Sequence, residues 1–440
     1  MTKKKLILVL GAAVASIAIV AVGIFAAVHF MGGDVNQPAT ETVEAAIDGA
    51  TIPSGATRVD DIRPTGEDPI YNPNHWAQQF PYQVETFNKT RTVTSVDYLE
   101  LFPFLRTIYE GSRFAVAYDS PRPHDNALED VKASPRVNDA TPAACFACKT
   151  PDFVTMEARD PRGTWPRGFT EVADQMTQTI TCYDCHRNTP GRGVEGDGFF
   201  DTGWVGSIRS HFGVWYEETR PATAACGQCH TEYYISPDTR QVVLPAGIVD
   251  PTTILEFYNS IDLVDHTNPR TGTQQVKAQH PEYQHFSGSI HQELGLTCVD
   301  CHAVRSTPDG VGGFITSHFI QSPSQSEEIL QSCGSCHRGG NQAVRDLITR
   351  TQASMNERTN DLGLRIADFM DSFAAAQAAG SLNSETITEI RSLERAAVWY
   401  FDWVFTENGD GVHNLEGAHE WLDRGERALS EAWTLLKASQ

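Results

Sequence analysis

Cys182-Tyr183-Asp184-Cys185-His186, Cys226-Gly227-Gln228-Cys229-His230, Cys298-Val299-Asp300-Cys301-His302 and Cys333-Gly334-Ser335-Cys336-His337 repeat one pattern, C-x-x-C-H, along the middle of the chain. A fifth stretch, Cys145-Phe146-Ala147-Cys148-Lys149, keeps the spacing but ends in lysine. These five pairs use all 10 cysteines of the 440 residues, and histidine, 15 residues in all, is too rare to follow four pairs by chance. Two thiols three residues apart with a histidine directly after them form the attachment motif of c-type haem. The thiols make thioethers with the vinyl groups, and the histidine is placed to ligate the iron from the proximal side. Other uses of paired cysteines fit less well. Disulfides suit an exported protein, but closing a C-x-x-C loop constrains almost nothing. Zinc ribbons combine their C-x-x-C units, and five is an uneven number of them. Thioredoxin-like motifs come singly, beside a βαβ pattern that is absent here.

Lys149 stands where a ligand belongs. Outside Lys3, Lys4 and Lys5, lysine occurs only at Lys89, Lys132, Lys149, Lys277 and Lys437. Arginine does not deprotonate in proteins, whereas lysine can ligate once burial and a metal depress its pKa. The competing reading is a surface Lys149 and a proximal ligand from elsewhere. A relay haem has both axial positions filled, while a catalytic haem keeps one open for substrate. Four relay haems would therefore draw four of the remaining histidines and leave one haem open, but composition does not choose the four.

With 34 Lys+Arg against 56 Asp+Glu, the net charge is −22. This excludes a binder of nucleic-acid phosphates and a polybasic membrane-surface protein. The uncharged run Leu6–Val28 exceeds the roughly 20 residues that a spanning helix needs. Lysines before it and few basic residues after it orient the body outward. Residues 1–33 are thus expected to be a membrane anchor or a long signal segment, either of which exports the rest, and residues 34–70 an acidic stalk. Strand signals are few. From residue 342 the apolar residues fall at helical spacing, over 342–378 and 384–406, with positions such as Val344, Leu347, Ile348, Leu362, Leu364, Ile366, Phe369 and Phe373. A third helix is predicted from His419 to Lys437. The reading is a mainly α, multihaem cytochrome c fold with a haem-packed core and long C-terminal helices.

The surroundings of the motifs resemble the ammonia-forming pentahaem cytochrome c nitrite reductases, over roughly residues 70 to 420. The lysine-terminated motif is the most diagnostic piece. His230-Thr231-Glu232-Tyr233-Tyr234 is similar to that family's H-x-E-Y-Y, and Lys277-Ala278-Gln279-His280-Pro281-Glu282-Tyr283 to its K-x-Q-H-P-E-Y. Pro121-Arg122-Pro123-His124 precedes Arg136 at the family's spacing between a distal histidine and its catalytic arginine. The resemblance implies five covalent haems c and a calcium ion. It makes Lys149 the proximal ligand of the active haem, with Arg136, Tyr233 and His280 around its open face. His186, His230, His302 and His337 would be the proximal ligands of the other haems, and His124, His291, His318 and His413 the distal ones, with no assignment of which serves which. Glu232 and Gln279 side chains and the carbonyls of Tyr233 and Lys277 would hold the calcium. Residues 71–340 then form the pentahaem catalytic region and 341–440 a helical region expected to make a homodimer.

Two further functions stay open on the sequence. One is a pure electron carrier, which would more naturally have five C-x-x-C-H motifs. The other is the same fold acting mainly on hydroxylamine or sulfite. The expected donor is a separate membrane-bound, quinol-oxidising cytochrome, since the N-terminal run has no haem motif of its own.

Overall fold

A computed structural model describes residues 70–78, 80–186, 221–245, 247–303, 305–306 and 315–439. The expected anchor and all of the stalk but Ile70 lie outside these residues. Among the described residues no helix is long and apolar enough to cross a membrane.

Three long helices close the chain: α1 (Gly340–Ala378), α2 (Ser384–Phe405) and α3 (Leu415–Ala438). Local chemistry sets their ends. Gly339 and Gly340, at φ of 108° and 79°, make the turn from the last cysteine motif into α1, a conformation that only glycine adopts without strain. Asn383 caps α2 by accepting from the Thr386 amide at 2.9 Å, and Asn414 caps α3 by accepting from the Gly417 amide at 3.0 Å. The third helix therefore starts four residues before the predicted His419, because its cap lies in a polar stretch without apolar periodicity.

In α1 the buried stripe runs Leu362, Ile366, Phe369, Met370 and Phe373, spacings that return to one face of a helix. Leu347 and Leu364 were expected on this apolar face but are exposed, since each lies off the stripe. Helix α3 buries Ala418, Trp421, Leu422, Gly425, Ala428, Leu429, Ala432 and Leu436 on one side. Helix α2 buries nearly every residue from Ala397 to Val404, because it runs between α3, α1 and the short helix Pro251–Ser260. The resulting hydrophobic cluster also takes in Leu99, Leu105, Ile108, Tyr109, Ile254, Tyr258 and Val276. The C-terminal helices thus share one core with the segment that precedes them. A smaller cluster, built on Phe146, Phe153, Trp165, Phe169 and Met176, packs against Cys145 and Cys148.

The rest is short. Helices of one to three turns alternate with loops, and among the described residues the strands form three antiparallel two-residue pairs: β1 (Tyr234–Ile235) with β2 (Val242–Val243), β3 (His266–Thr267) with β4 (Gln274–Gln275), and β5 (Arg305–Ser306) with β6 (Ile315–Thr316).

Gly363 tests how tightly α1 is packed. A Cβ there would run into the Phe104 ring and come within 2.8 Å of Phe401 Cε2. Overpacking of this kind costs about 1–3 kcal/mol. Gly363→Ala is therefore expected to lower the thermal midpoint, although alanine is the better helix former. A rise in the midpoint would refute the close approach.

Candidate functional site

The cysteine motifs are shaped by their own backbone. In the 182–186 and 298–302 motifs the preceding threonine caps a single helical turn, and an aspartate inside the motif completes the box. The Thr181 amide donates to Asp184 Oδ2 at 2.7 Å, and the Thr297 amide to Asp300 Oδ2 at 2.8 Å. One turn puts the two sulfurs on one side, with the histidine directly after them. The amides of His186, His230 and His337 each donate to the carbonyl of the first cysteine of their motif at 2.9 Å. The lysine motif differs: its turn is a 3-10 helix (Ala143–Phe146), and the Lys149 amide donates to Phe146 at 2.9 Å. The Lys149 amide thus bonds three residues back, where those of His186, His230 and His337 bond four back.

Each motif histidine faces a second histidine from far along the chain. Ring centroids are 6.2 Å apart for His230 and His124, 6.1 Å for His186 and His318, 6.2 Å for His337 and His291, and 6.0 Å for His302 and His413. A metal–imidazole bond is about 2.0 Å, and the centroid lies roughly 1.1 Å behind the ligating nitrogen. Two imidazoles on opposite sides of one iron thus put their centroids about 6.2 Å apart, so all four pairs fit. The four distal candidates become four separate pairs, an assignment that the sequence left open. Neighbouring motifs also interact: Cys148 with Cys229, and Cys226 with Cys298.

The surroundings of the lysine motif are of another kind. The Tyr233 and His280 rings lie at 6.5 Å, tilted by 28°. The Tyr233 phenol is raised far above its ordinary pKa by burial, and it feels Cys145, Cys148 and the opposing charge of Arg136. Burial pushes His280 down to about 4, with Glu282 opposing and Lys149 reinforcing the shift. The Arg136 guanidinium lies 4.4 Å from the centre of the Phe114 ring. Its carbonyl is held by Arg113 Nη1 at 2.9 Å. The structure therefore gathers Arg136, Tyr233, His280 and Lys149 around one motif.

Behind these groups lies the Glu232 carboxylate, 0% exposed. It accepts from the Tyr258 hydroxyl at 2.9 Å and from the Gln279 amide at 2.7 Å. Gln279 Nε2 donates to the Lys277 carbonyl at 3.0 Å. Burial lifts Glu232 well above the carboxylate range, so a cation beside it would restore the ionised form. A carboxylate, an amide oxygen and carbonyls are the donors that a hard cation takes. Among the described residues no set of three His, Cys, Asp or Glu side chains is placed to hold a metal.

Sequence reasoning gave Lys277 a role through its carbonyl only. Its ammonium is also buried, 3.3 Å from Asp402 Oδ1 and 3.1 Å from the Ala278 carbonyl. It sits 4.9, 4.7 and 5.0 Å from the ring centres of Tyr109, Phe114 and Tyr118, within cation–π range. Phe114 thus has Arg136 and Lys277 both against its ring. Asp402 also accepts from the Tyr109 hydroxyl. The available signal for Asp402 was one acid in the apolar run from Ala396 to Phe405, since a buried acid needs a partner. Glu407, bonded to His413, gave no such signal.

Taken together, one mainly helical body, repeated haem-attachment motifs and paired histidines describe a multihaem c-type cytochrome. The cytochrome c552 family model matches residues 72–439, and the chain belongs to that family of covalent haem c proteins. It is 28% identical over 364 residues to a cytochrome c-552 of Maridesulfovibrio salexigens, covering 77% of this chain and 70% of the relative. To a cytochrome c-552 of Desulfotalea psychrophila it is 28% identical over 404 residues, 82% of this chain and 75% of the relative. Its fold matches that of the catalytic subunit of the cytochrome c nitrite reductase from Desulfovibrio desulfuricans, a protein with two calcium sites, at a TM-score of 0.71 and 22% identity over 88% of each chain.

His266, across the β3–β4 pair from Gln275, is 9% exposed, and neither ring nitrogen has a hydrogen-bond partner. Burial, aided by Lys277, lowers it from 6.5 to about 4. Between those values the unfolded chain holds a proton that the folded one does not. The contribution of His266 to stability is therefore complete above 6.5 and lost as pH falls towards 4, at up to about 1.4 kcal/mol per pH unit. In chemical denaturation of the haem-loaded protein, His266→Phe is expected to flatten this acid limb by about one proton. An unchanged slope would contradict the burial of a neutral ring.

Proposed function

We propose that the protein reduces nitrite to ammonium, using six electrons and eight protons per nitrite, at a haem c attached to Cys145 and Cys148 with Lys149 as proximal ligand. The observation that carries the reading is the asymmetry of the five motifs. Four histidine motifs have partner imidazoles at one spacing. The lysine motif has Arg136, Tyr233 and His280 in electrostatic contact with it instead. Membership of the cytochrome c552 family and a fold shared with a nitrite reductase support it.

The haem at Cys145 and Cys148 would supply a redox-active iron with one open position. Arg136 draws the nitrite anion in and orients it, as a fixed guanidinium does for small anions. Tyr233 keeps its phenol proton and donates a hydrogen bond. His280 is neutral in the resting site, and an anion beside it favours its protonation, so that it passes protons to a departing oxygen. Glu232, Gln279 and the carbonyls of Tyr233 and Lys277 would hold a calcium ion, tying the segment at Tyr233 to the segment at His280. The four imidazole pairs would hold the relay haems, and the Cys148–Cys229 and Cys226–Cys298 neighbours suggest an order of transfer towards the site. Residues 71–340 carry this machinery apart from His413, and residues 341–440 would also pair two copies. The body works on the outer side of the membrane, fed by a quinol-oxidising membrane cytochrome.

The test is ammonium production by the haem-loaded protein with reduced viologen as donor. One ammonium per nitrite is expected. Reversible reduction of the haems without nitrite consumption would make the protein an electron carrier. Lys149→His should retain all five haems but lower turnover at least about tenfold, or 1.4 kcal/mol in the barrier; full turnover would remove the special role of lysine. Arg136→Ala should lower kcat/KM for nitrite at least about tenfold more than for neutral hydroxylamine, and equal losses would exclude anion binding by Arg136.

A further inference from the structure

The loop Glu407-Asn408-Gly409-Asp410-Gly411-Val412-His413, between α2 and α3, returns on itself so that its first side chain meets its last. Glu407 Oε1 is hydrogen-bonded to His413 Nδ1. The carboxylate is fully buried and is fixed from the other side by the Gly409 amide at 2.7 Å and, more weakly, the Gly411 amide at 3.4 Å. The backbone is shaped for this contact. Asp410 and Gly411 have φ of 50° and 83°, and a Cβ on Gly409 would lie 2.7 Å from His413 Nδ1 and as close to the Glu407 carboxylate. His285, also buried, stands 3.7 Å from Glu407 Oε2 with its Nε2 on the Trp403 carbonyl at 3.0 Å, and the Trp403 and Trp421 rings flank it.

Other ligand candidates are held differently. His302 Nδ1 is 2.9 Å from the Gln321 carbonyl, and His318 Nδ1 is 3.1 Å from the Thr316 carbonyl. His230 Nδ1 is 3.9 Å from Glu282 Oε1, beyond hydrogen-bonding distance. A carbonyl orients an imidazole, whereas a bonded carboxylate also raises its basicity and so favours the more positive state of the metal.

We propose that Glu407 is the potential-setting residue of the relay. By holding the Nδ1–H of His413, it makes the haem attached at Cys298 and Cys301 harder to reduce than a carbonyl partner would. The proton stays on the Glu407–His413 line while one electron enters or leaves the iron. Because Cys298 interacts with Cys226 and Cys301 with Cys333, this haem would join the 333–337 motif to the 226–230 motif. Glu407 would thereby control electron exchange between the far end of the relay and the catalytic side. This rests on the reading of His302 and His413 as axial ligands.

The experiment is a potentiometric titration of the haem-loaded protein followed by electron paramagnetic resonance of the low-spin signals. His413→Gly identifies the haem, because the signal it abolishes is the one His413 serves. Loss of no signal would overturn the ligation reading, and this proposal with it. In Glu407→Gln that same signal should titrate with its oxidised-to-reduced ratio shifted at least tenfold at fixed potential towards reduction, about 59 mV for one electron. The other signals should stay in place, and Glu407→Asp should recover part of the shift. Loss of a signal in His413→Gly with no shift in Glu407→Gln would overturn the proposal and leave the ligation reading intact. If Glu407→Gln does not take up haem, Gly409→Ala, which pushes the two partners apart, must move the same signal in the same direction. An unmoved signal there has the same overturning force.

Discussion

Four imidazole pairs at a common spacing are the constraint that the remaining structure serves. Each pair joins positions far apart in sequence: 124 with 230, 186 with 318, 291 with 337, and 302 with 413. Bringing such distant points together costs chain entropy, and the strand pairs among the described residues are two residues long and share little of it. Ligand bonds at these pairs would offset that cost and would couple haem insertion to folding, as in other proteins whose metal sites do not exist in the unfolded chain. The side-chain core does the complementary work at the C-terminus, where α2 is enclosed and α1 and α3 each turn one stripe inward.

Electrostatics explains how an acidic chain can offer a site to an anion. The net charge of −22 is spread over the whole molecule, while Arg136, Lys149 and Lys277 converge on one region. Lys277 is balanced by Asp402, and both face a cluster of rings. Rings accept a cation on their faces without adding a formal negative charge. Glu407 and Glu282 approach paired histidines instead, His413 and His230.

What was legible in the sequence follows the range of the interaction. The cysteine motifs are local, four residues and the next, and their chemistry could be read directly. The C-terminal helices were legible because an apolar stripe repeats within a turn or two. Leu347 and Leu364 were misplaced because apolar character alone does not say on which face a residue sits. The pairing of His124, His291, His318 and His413 with particular motifs was not legible. Their partners are fixed by tertiary packing, which no spacing encodes. Glu407 was missed for the same reason, since an acid on the far side of a glycine loop looks like any other acid, whereas Asp402 stood out as the one acid in an apolar run but its partner, 125 positions away, did not.

The Lys277–Asp402 contact has a historical consequence. The two residues are separated by 125 positions yet share one water-poor chamber. Loss of either alone strands a charge there, while loss of both leaves a space that apolar groups can fill. Single steps away from the pair are blocked although the double replacement is accessible. Lineages descending from a common ancestor should therefore hold both or neither at these two positions, and a mixed descendant should betray a compensating charge nearby.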